Sequence, residues 1–310
     1  MEGLQEAAVR IAITGATGFL GRYLVRQLAG SGHALRCWYR ASSDRSGLGD
    51  SSQAIEWVPG ELGNASAVAA LVRGVDAVVH SGLARPSAPG FAAAAQSDVL
   101  AFVQINVLGS LQLFQAAYAA AVPRFVLLST CAVHDVILDD RPLDEAHPLW
   151  PKSHYGAHKA ALEAFVHSYG FGEGWPICAL RPTGIYGLAH PPRASRWYDL
   201  VGQVLRGEPI TTARGGKEVH AADVARATEL LLNADAKTIS GQSFNCYDLY
   251  VAELDVARIA KELTRSNSAI ADLNRGPKHQ IDTQKIRALG MMFGGQPLLR
   301  QTVQELIEAH

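Results

Sequence analysis

Tyr155 and Lys159 lie four residues apart in Tyr155-Gly-Ala-His-Lys159, a stretch with helical spacing. Positions four apart share a helix face, so the phenol and the ammonium point into one site. A free tyrosine titrates near ~10, too high for a base at neutral pH. Lowering that value to ~7 takes about 4 kcal/mol of preference for the phenolate. One cation ~4 Å away at an effective dielectric of about 20 supplies roughly that much. The pair is therefore an adequate acid/base unit. The same spacing also occurs on ordinary solvated helix faces, so its meaning depends on the rest of the chain. Ser129-Thr130 ends the apolar run Arg124-Phe-Val-Leu-Leu128, which sets a hydroxyl at a strand end, within reach of a carbonyl or alcohol.

A second constellation lies near the start: Ile11-Ala-Ile-Thr-Gly15-Ala-Thr-Gly18-Phe-Leu-Gly21. An apolar strand runs into three glycines at three-residue spacing, and an amphipathic helix follows. Gly15 permits the sharp turn, Gly18 permits close backbone approach to a ligand, and Gly21 lets helix and strand pack closely. The N–H groups and positive dipole end of such a helix suit a pyrophosphate. The stretch reads as a dinucleotide cradle, with Thr17 beside it, rather than a glycine-rich turn.

The elements that position these residues alternate along the chain. Strands are expected at His33–Tyr39, Ile55–Val58, Val75–His80, Arg124–Leu128 and Pro176–Leu180, and helices at Arg22–Ala29, Ala65–Gly74, Asp98–Ala121 and Ser153–Ser168. Arg85–Gly90 reads as a loop. Nearly all-apolar strands separated by helix-length segments predict an α/β fold, a doubly wound parallel Rossmann sheet. Beyond Gly187 the texture changes to a Pro/Arg-rich loop, Ala189–Arg196. Helices follow near Trp197–Arg206, Ala222–Asn233, Val251–Thr264 and Leu298–Ala309, with a short strand near Ile210. The expected organisation is a dinucleotide-binding domain over 1–187, to which 217–245 return, and a smaller discontinuous substrate lobe from 188–216 and 246–310.

Bulk properties narrow the partners. The chain has 310 residues, 28 basic and 29 acidic side chains and a net charge of −1, so nothing favours nucleic acid or an anionic membrane. No uninterrupted apolar run is long enough to span a bilayer, and Met1–Glu6 lacks a signal-peptide pattern. The four cysteines, Cys37, Cys131, Cys178 and Cys246, form no metal-ligand or Cys-x-x-Cys pattern. A soluble cytoplasmic protein without a metal is expected.

Taken together the motifs resemble the extended short-chain dehydrogenase/reductase family, the branch with nucleotide-sugar epimerases, dehydratases and related reductases. The resemblance is carried by Thr14–Gly21, Val78-Val-His80, Asn106-Val-Leu-Gly109, Leu128-Ser-Thr130, Tyr155-x-x-x-Lys159, Arg181-Pro-Thr-Gly-Ile-Tyr-Gly187, Val219–Ala225 and Lys285–Gly290. It implies Tyr155 as acid/base, Lys159 as its electrostatic partner and a contact to the nicotinamide ribose, and Thr130 as the catalytic hydroxyl. It further implies that Gly15, Gly18, Phe19, Leu20 and Gly21 hold the pyrophosphate and that Glu61 and Leu62 contact adenine. Leu83 and Ala84 would flank the cofactor ribose, and Pro182 to Ile185 would sit beside the nicotinamide. Asn106 and His220 would have framework roles. A homodimer through the two long helices is also implied.

The chain departs from the family pattern at informative positions. Cys131 and Ala132 stand where the dehydratases carry an Asp-Glu pair, which argues against dehydration. Gly216, followed by Lys217, stands where nucleotide-sugar enzymes often carry a phosphate-binding arginine. His134 and His158 replace a tyrosine and a small residue. At the end of the second strand, where NAD-selective sites place an acid on the ribose hydroxyls, the chain has Arg40, then Ser42 and Ser43, with no acid before Asp44. A charge-assisted hydrogen bond to a 2′-phosphate is worth ~1.5–3 kcal/mol, so NADP is preferred over NAD. The alternative is an arginine stacked on adenine and indifferent to phosphate. Arg193, Arg196 and Trp197 are the candidate substrate contacts, two guanidinium groups beside aromatic surface; a solvated loop is the other reading. Asp139-Asp140 and Asp144-Glu145 read as turn and capping residues.

The expected function is NAD(P)-dependent oxidoreduction of a carbonyl or alcohol carbon in a small molecule, with Thr130 (and Ser129) on the oxygen. The alternative is an NAD-dependent sugar or nucleotide-sugar epimerase using the same residues, and a third reading is a non-catalytic dinucleotide sensor.

Overall fold

The run Arg10–Thr14 forms β1, buried from Ile11 onward, and the amphipathic Phe19–Gly30 forms α1 with Leu24, Val25 and Leu28 turned inward. The computed structural model describes residues 9–85, 91–212, 214–273 and 276–310. The loop expected at Arg85–Gly90 falls, beyond Arg85, outside the described residues, as does the Met1–Glu6 stretch.

Six further strands join β1 in a seven-stranded parallel sheet, ordered β3-β2-β1-β4-β5-β6-β9. They are β2 (Ala34–Tyr39), β3 (Ile55–Pro59), β4 (Ala77–His80), β5 (Arg124–Leu128), β6 (Ile177–Pro182) and β9 (Gln242–Cys246). The order reverses between β1 and β4, and ligands bind at such a crevice in open α/β sheets. One face is covered by α1 and by α8 (Ala221–Asn233), which pack on each other around Leu24, Leu28, Val224 and Leu231. The other face carries α2 (Ala65–Val72), α5 (Gly109–Ala119) and α6 (His154–His167) over Phe114, Phe125, Leu162 and Val166. The doubly wound parallel sheet expected from the apolar strands is the one observed.

A second, three-stranded sheet joins β7 (Gly184–Tyr186), β8 (Gly215–His220) and β10 (Leu249–Ala252) in the order β10-β8-β7. It packs with α7 (Tyr198–Leu205), α10 (Glu253–Thr264) and α12 (Gly295–Glu308) around Tyr186, Trp197, Val201, Leu254 and Leu299. Of the returning stretch 217–245, α8 and β9 belong with the large sheet and β8 with the small one. The strand expected near Ile210 is an isolated bridge to Ile270. The remaining short helices are α3 (Phe91–Ser97), α9 (Ala236–Ile239) and α11 (Gln284–Arg287).

The single long helix expected over Asp98–Ala121 is instead α4 (Val99–Val103), a π turn at Gln104–Leu108, and α5. The extra residue of the π turn brings Asn106 inward: its amide donates to the carbonyls of Ala84 and Phe102 at 3.0 and 3.1 Å and accepts from Ala84 N at 2.8 Å. Polar residues interrupt this run, yet Val99–Ala119 as a whole is long and apolar enough to cross a membrane. Phe102, Leu113, Phe114 and Ala117 on it are fully buried in the protein core, while Val99, Leu100, Leu108 and Tyr118 are exposed.

Candidate active site

Gly15 turns at φ +76°, and a Cβ there would meet the Ser81 carbonyl oxygen at 2.8 Å. Gly21 admits no side chain either, since its Cβ would overlap the Gly15 oxygen. Gly18, the N-cap of α1, offers no side-chain cap to the first-turn N–H groups of Phe19, Leu20 and Gly21. A close-packed glycine turn with uncapped donors fits a pyrophosphate. Beyond it opens a cavity of about 970 Å³ between the carboxyl ends of β1, β2 and β4. Gly15, Thr17, Arg40, Glu61, Leu62, Leu83 and Ala84, all expected at the cofactor, line it, together with Trp38, Ser43 and Asn64. The glycine at 60 is needed here because a Cβ would strike the Trp38 ring.

The turn after β2 is strongly fastened. Arg40 N donates to Ser43 Oγ at 2.9 Å. Arg22, buried on α1, donates to the carbonyls of Thr17, Asp44 (2.9 Å) and Ser46 (3.2 Å), and pairs with the Asp44 carboxylate at 3.3 Å. Asp44, the first acid after β2, is thereby committed to Arg22 and Ser46 and does not line the cavity. Ser46 also meets His190 at 2.9 Å, and His190 lies 3.6 Å from Asp44, which ties this turn to the Leu188–Arg196 loop.

Leu83 connects the cavity to the reacting end, packing in one cluster with Tyr155, Ala94, Ala95 and Phe102. Tyr155 is in the first turn of α6, whose N-cap Ser153 accepts from Gly156 N at 3.1 Å. Its phenol and the Thr130 hydroxyl are hydrogen-bonded, and Thr130 Oγ1 also accepts from Ala132 N at 3.1 Å. Burial pushes the phenol up from its ordinary value, and the Thr130 bond works against that rise. The depression expected from Lys159 is therefore not what the site shows. Lys159, 4% exposed, donates Nζ to the Leu128 carbonyl at 2.7 Å, and burial pulls it down to about 8 while Glu163 raises it.

Glu163 continues the Tyr155–Lys159 stripe by one more turn. Its fully buried carboxylate accepts from Ser129 Oγ, from Ser243 Oγ at 2.9 Å, and from Arg181 Nη2 at 2.6 Å and Nε at 2.9 Å. Ser129 is thus turned into the interior and leaves Thr130 alone beside Tyr155. Arg181 also donates to His134 Nε2 at 3.2 Å and the Glu145 carbonyl at 3.2 Å, so His134 serves this network rather than a substrate. His158 is buried against Phe102 (ring centroids 5.0 Å) and the Tyr155 carbonyl. The repeat at four-residue intervals was the available sequence signal for Glu163; Arg181 stood in a quoted motif without a role. His80 bridges Thr14 Oγ1 (2.7 Å) and Ser110 Oγ (2.8 Å), and burial, then Lys159, pulls it down to about 3.

Pro182 ends β6 and Ile185 sits on β7, packed against the sheet core. Arg193 is exposed on a 3-10 turn. Arg196 instead makes a two-point pair with buried Glu218, 2.8 Å at each contact. Trp197 is buried 5.3 Å from the Tyr186 ring, in the small-sheet core, because α7 must close that core; it does not face a ligand. Asp144 caps its turn through Ala146 N at 3.0 Å, whereas Glu145 reaches across to Asn245 N at 2.7 Å. All four cysteines are free, and no metal-binding cluster occurs among the described residues.

Known proteins share this sequence pattern and this fold. Residues 11–246 match the model of the NAD dependent epimerase/dehydratase family. A 3 beta-hydroxysteroid dehydrogenase/Delta 5→4-isomerase of Mycobacterium tuberculosis is 30% identical over 183 residues, 57% of this chain. That match spans only 47% of the relative's length. The fold is shared with the UDP-N-acetylglucosamine 4-epimerase of Methanobrevibacter ruminantium, TM-score 0.79 at 20% identity over 98% of this chain and 99% of that one. The dTDP-glucose 4,6-dehydratase of Streptomyces venezuelae, determined with NAD, superposes with TM-score 0.75 at 25% identity, over 96% and 97% of the two chains.

Proposed function

The chain belongs to the NAD dependent epimerase/dehydratase family, an extended short-chain dehydrogenase/reductase lineage, and we propose that it is an oxidoreductase acting on a carbonyl or alcohol carbon of a small molecule. The observation that carries this reading is the hydrogen-bonded Thr130–Tyr155 pair, set beside buried Lys159 and joined through Leu83 to the dinucleotide cavity. A bound nicotinamide supplies or takes up the hydride. Thr130 orients the substrate oxygen, and Tyr155 gives or receives its proton. With the phenol raised by burial, Tyr155 is held protonated, ready to act as an acid toward a carbonyl oxygen. Lys159, one turn further along α6, carries a positive charge fixed at the Leu128 carbonyl.

NADP is the proposed cofactor form. Arg40 and Ser43 stand at the adenosine end of the cavity, and the first acid after β2 is engaged by Arg22. Cys131 and Ala132 after Thr130 offer no carboxylate for water elimination. A homodimer in the cytoplasm is part of the same reading. Exposed Val99, Leu100 and Val103 on α4, Tyr118 on α5 and Phe165 on α6 offer an apolar face for a second copy.

The test is the nicotinamide absorbance of the purified protein with NADPH and a panel of carbonyl compounds. Net oxidation that Tyr155→Phe abolishes, with cofactor affinity nearly unchanged, supports the reading. Sugar interconversion with retained NAD and no net absorbance change identifies an epimerase instead, as the likeness to the methanogen enzyme allows. Cofactor binding with neither activity identifies a sensor.

A further inference from the structure

Thr183 and Lys217 stand side by side where β6 gives way to β7. In the parallel register of β7 and β8, Gly184 faces Glu218 and Ile185 faces Val219, so the preceding pair is Thr183 and Lys217. Side chains at neighbouring register positions share a sheet face. Thr183 Oγ1 is buried and has no hydrogen-bond partner, while its backbone N–H is spent on the Cys246 carbonyl at 3.1 Å. Lys217 is half-buried, and its ammonium has no hydrogen bond or ion pair among the described residues. On the opposite face of β8 the situation is reversed: Glu218 is satisfied at both oxygens by Arg196.

In the parallel register of β5 and β6, Leu128 faces Leu180, so Thr130 and Pro182 reach the same level at the carboxyl end of the sheet, and Thr183 follows Pro182. The ionisable group that Lys217 feels is Cys131, the residue after Thr130. Cys131 donates its thiol to the Arg181 carbonyl at 3.0 Å, and burial pushes it up to about 12, so it remains neutral and provides no counter-charge. The buried Thr183 hydroxyl is left unsatisfied, which costs free energy until a partner arrives, and the half-buried Lys217 adds a positive charge at the neighbouring register position. The partner that satisfies both is an anion. One ammonium and one hydroxyl match the two oxygens of a carboxylate, whereas a phosphate would leave oxygens without donors.

Resting on the redox reading above, we propose that Lys217 and Thr183 form a carboxylate-binding subsite, and that the substrate is an oxo acid or hydroxy acid. Its carboxylate lies close to the carbon whose oxygen Thr130 and Tyr155 hold. The small-sheet strand β8 thus contributes a specificity-determining residue to the site on the large sheet.

The experiment is calorimetric titration of malonate, its neutral analogue malonamide and inorganic phosphate into the full chain saturated with nicotinamide cofactor. Malonate is expected to bind, phosphate more weakly and malonamide not at all. Lys217→Met should weaken malonate about tenfold or more, the loss of a charge-assisted hydrogen bond, and Thr183→Val several-fold. A thermal melt matching the parent's confirms that each variant is folded. No heat from malonate with the parent protein, or an unchanged affinity in Lys217→Met, overturns the subsite. Phosphate binding more tightly than malonate overturns the carboxylate assignment. Because binding and not turnover is read, a protein that binds malonate through Lys217 yet oxidises no NADPH refutes the redox reading and leaves the subsite standing.

Discussion

Lys159 and Glu163, one turn apart on α6, grip two consecutive residues at the end of β5: Lys159 holds the Leu128 carbonyl, and Glu163 accepts from the Ser129 hydroxyl. Thr130 follows immediately. Its hydroxyl is thus delivered to Tyr155 by a strand end fixed at two points from the same helix that carries the tyrosine. The acid/base pair and the hydroxyl therefore form one rigid unit, the condition for holding reacting atoms in line.

Glu163→Gln should be severely destabilising. It leaves Arg181, 1% exposed, without a counter-ion in the interior, and breaking one side of a buried pair costs about 3–5 kcal/mol. Chemical denaturation should show the midpoint falling by that equivalent with the slope unchanged. A loss under about 1 kcal/mol would mean that water reaches the pair.

Lys159→Met should stabilise the fold while abolishing turnover. The lysine titrates near 8 when folded and near 10.5 when unfolded, so below pH 8 it is charged in both states and its full burial penalty is felt. That penalty is about 3 kcal/mol; losing the bond to Leu128 reduces the gain to about 1–2 kcal/mol. Thermal melts should show the variant ahead of the parent at pH 7. The advantage should fade as pH rises from 8 to 10.5, where the unfolded chain binds more protons and the parent gains stability.

Acid should unfold the protein earlier than its carboxylates require. Burial pulls His80 and His158 down to about 3 and His134 and His220 to about 4. Their neutral forms give stability that is complete above pH 6.5 and is lost as pH falls toward those values, because the unfolded chain takes up the protons first. At pH 5 each has lost about 2 kcal/mol. Melting temperature against pH should therefore break downward just below 6.5; a flat profile to pH 5 would refute the assignment.

Arg40→Ala should lower NADP affinity about 10- to 100-fold and leave NAD affinity nearly unchanged, the loss of one charge-assisted contact. Equilibrium titration of both cofactors measures it. An unmoved ratio removes the case for NADP.

The sheet was legible because its strands are apolar on both faces and its glycines occupy positions where a side chain would collide. The π turn was not legible: Asn106 looks like any polar residue in a helix until Ala84, distant in sequence, supplies its partners. The small sheet was also missed, since Gly215–His220 carries Lys and Glu, and its strand character comes from pairing with β7 and β10. At the site, Tyr155 and Lys159 were visible from spacing, but the Tyr155 phenol shifts opposite to the expectation because burial dominates. Arg196 and Trp197 look like ligand contacts on a loop; only the fold shows that Glu218 and Tyr186 already claim them.

The contact of Ser46 and Asp44 with His190 gives two loops from different sheets a common fastening. Residues chosen to retune the turn carrying Arg40 and Ser43 would shift the footing of the loop carrying Arg193 and Arg196. The rim of the cavity and the proline-rich loop are thus mechanically joined in this chain.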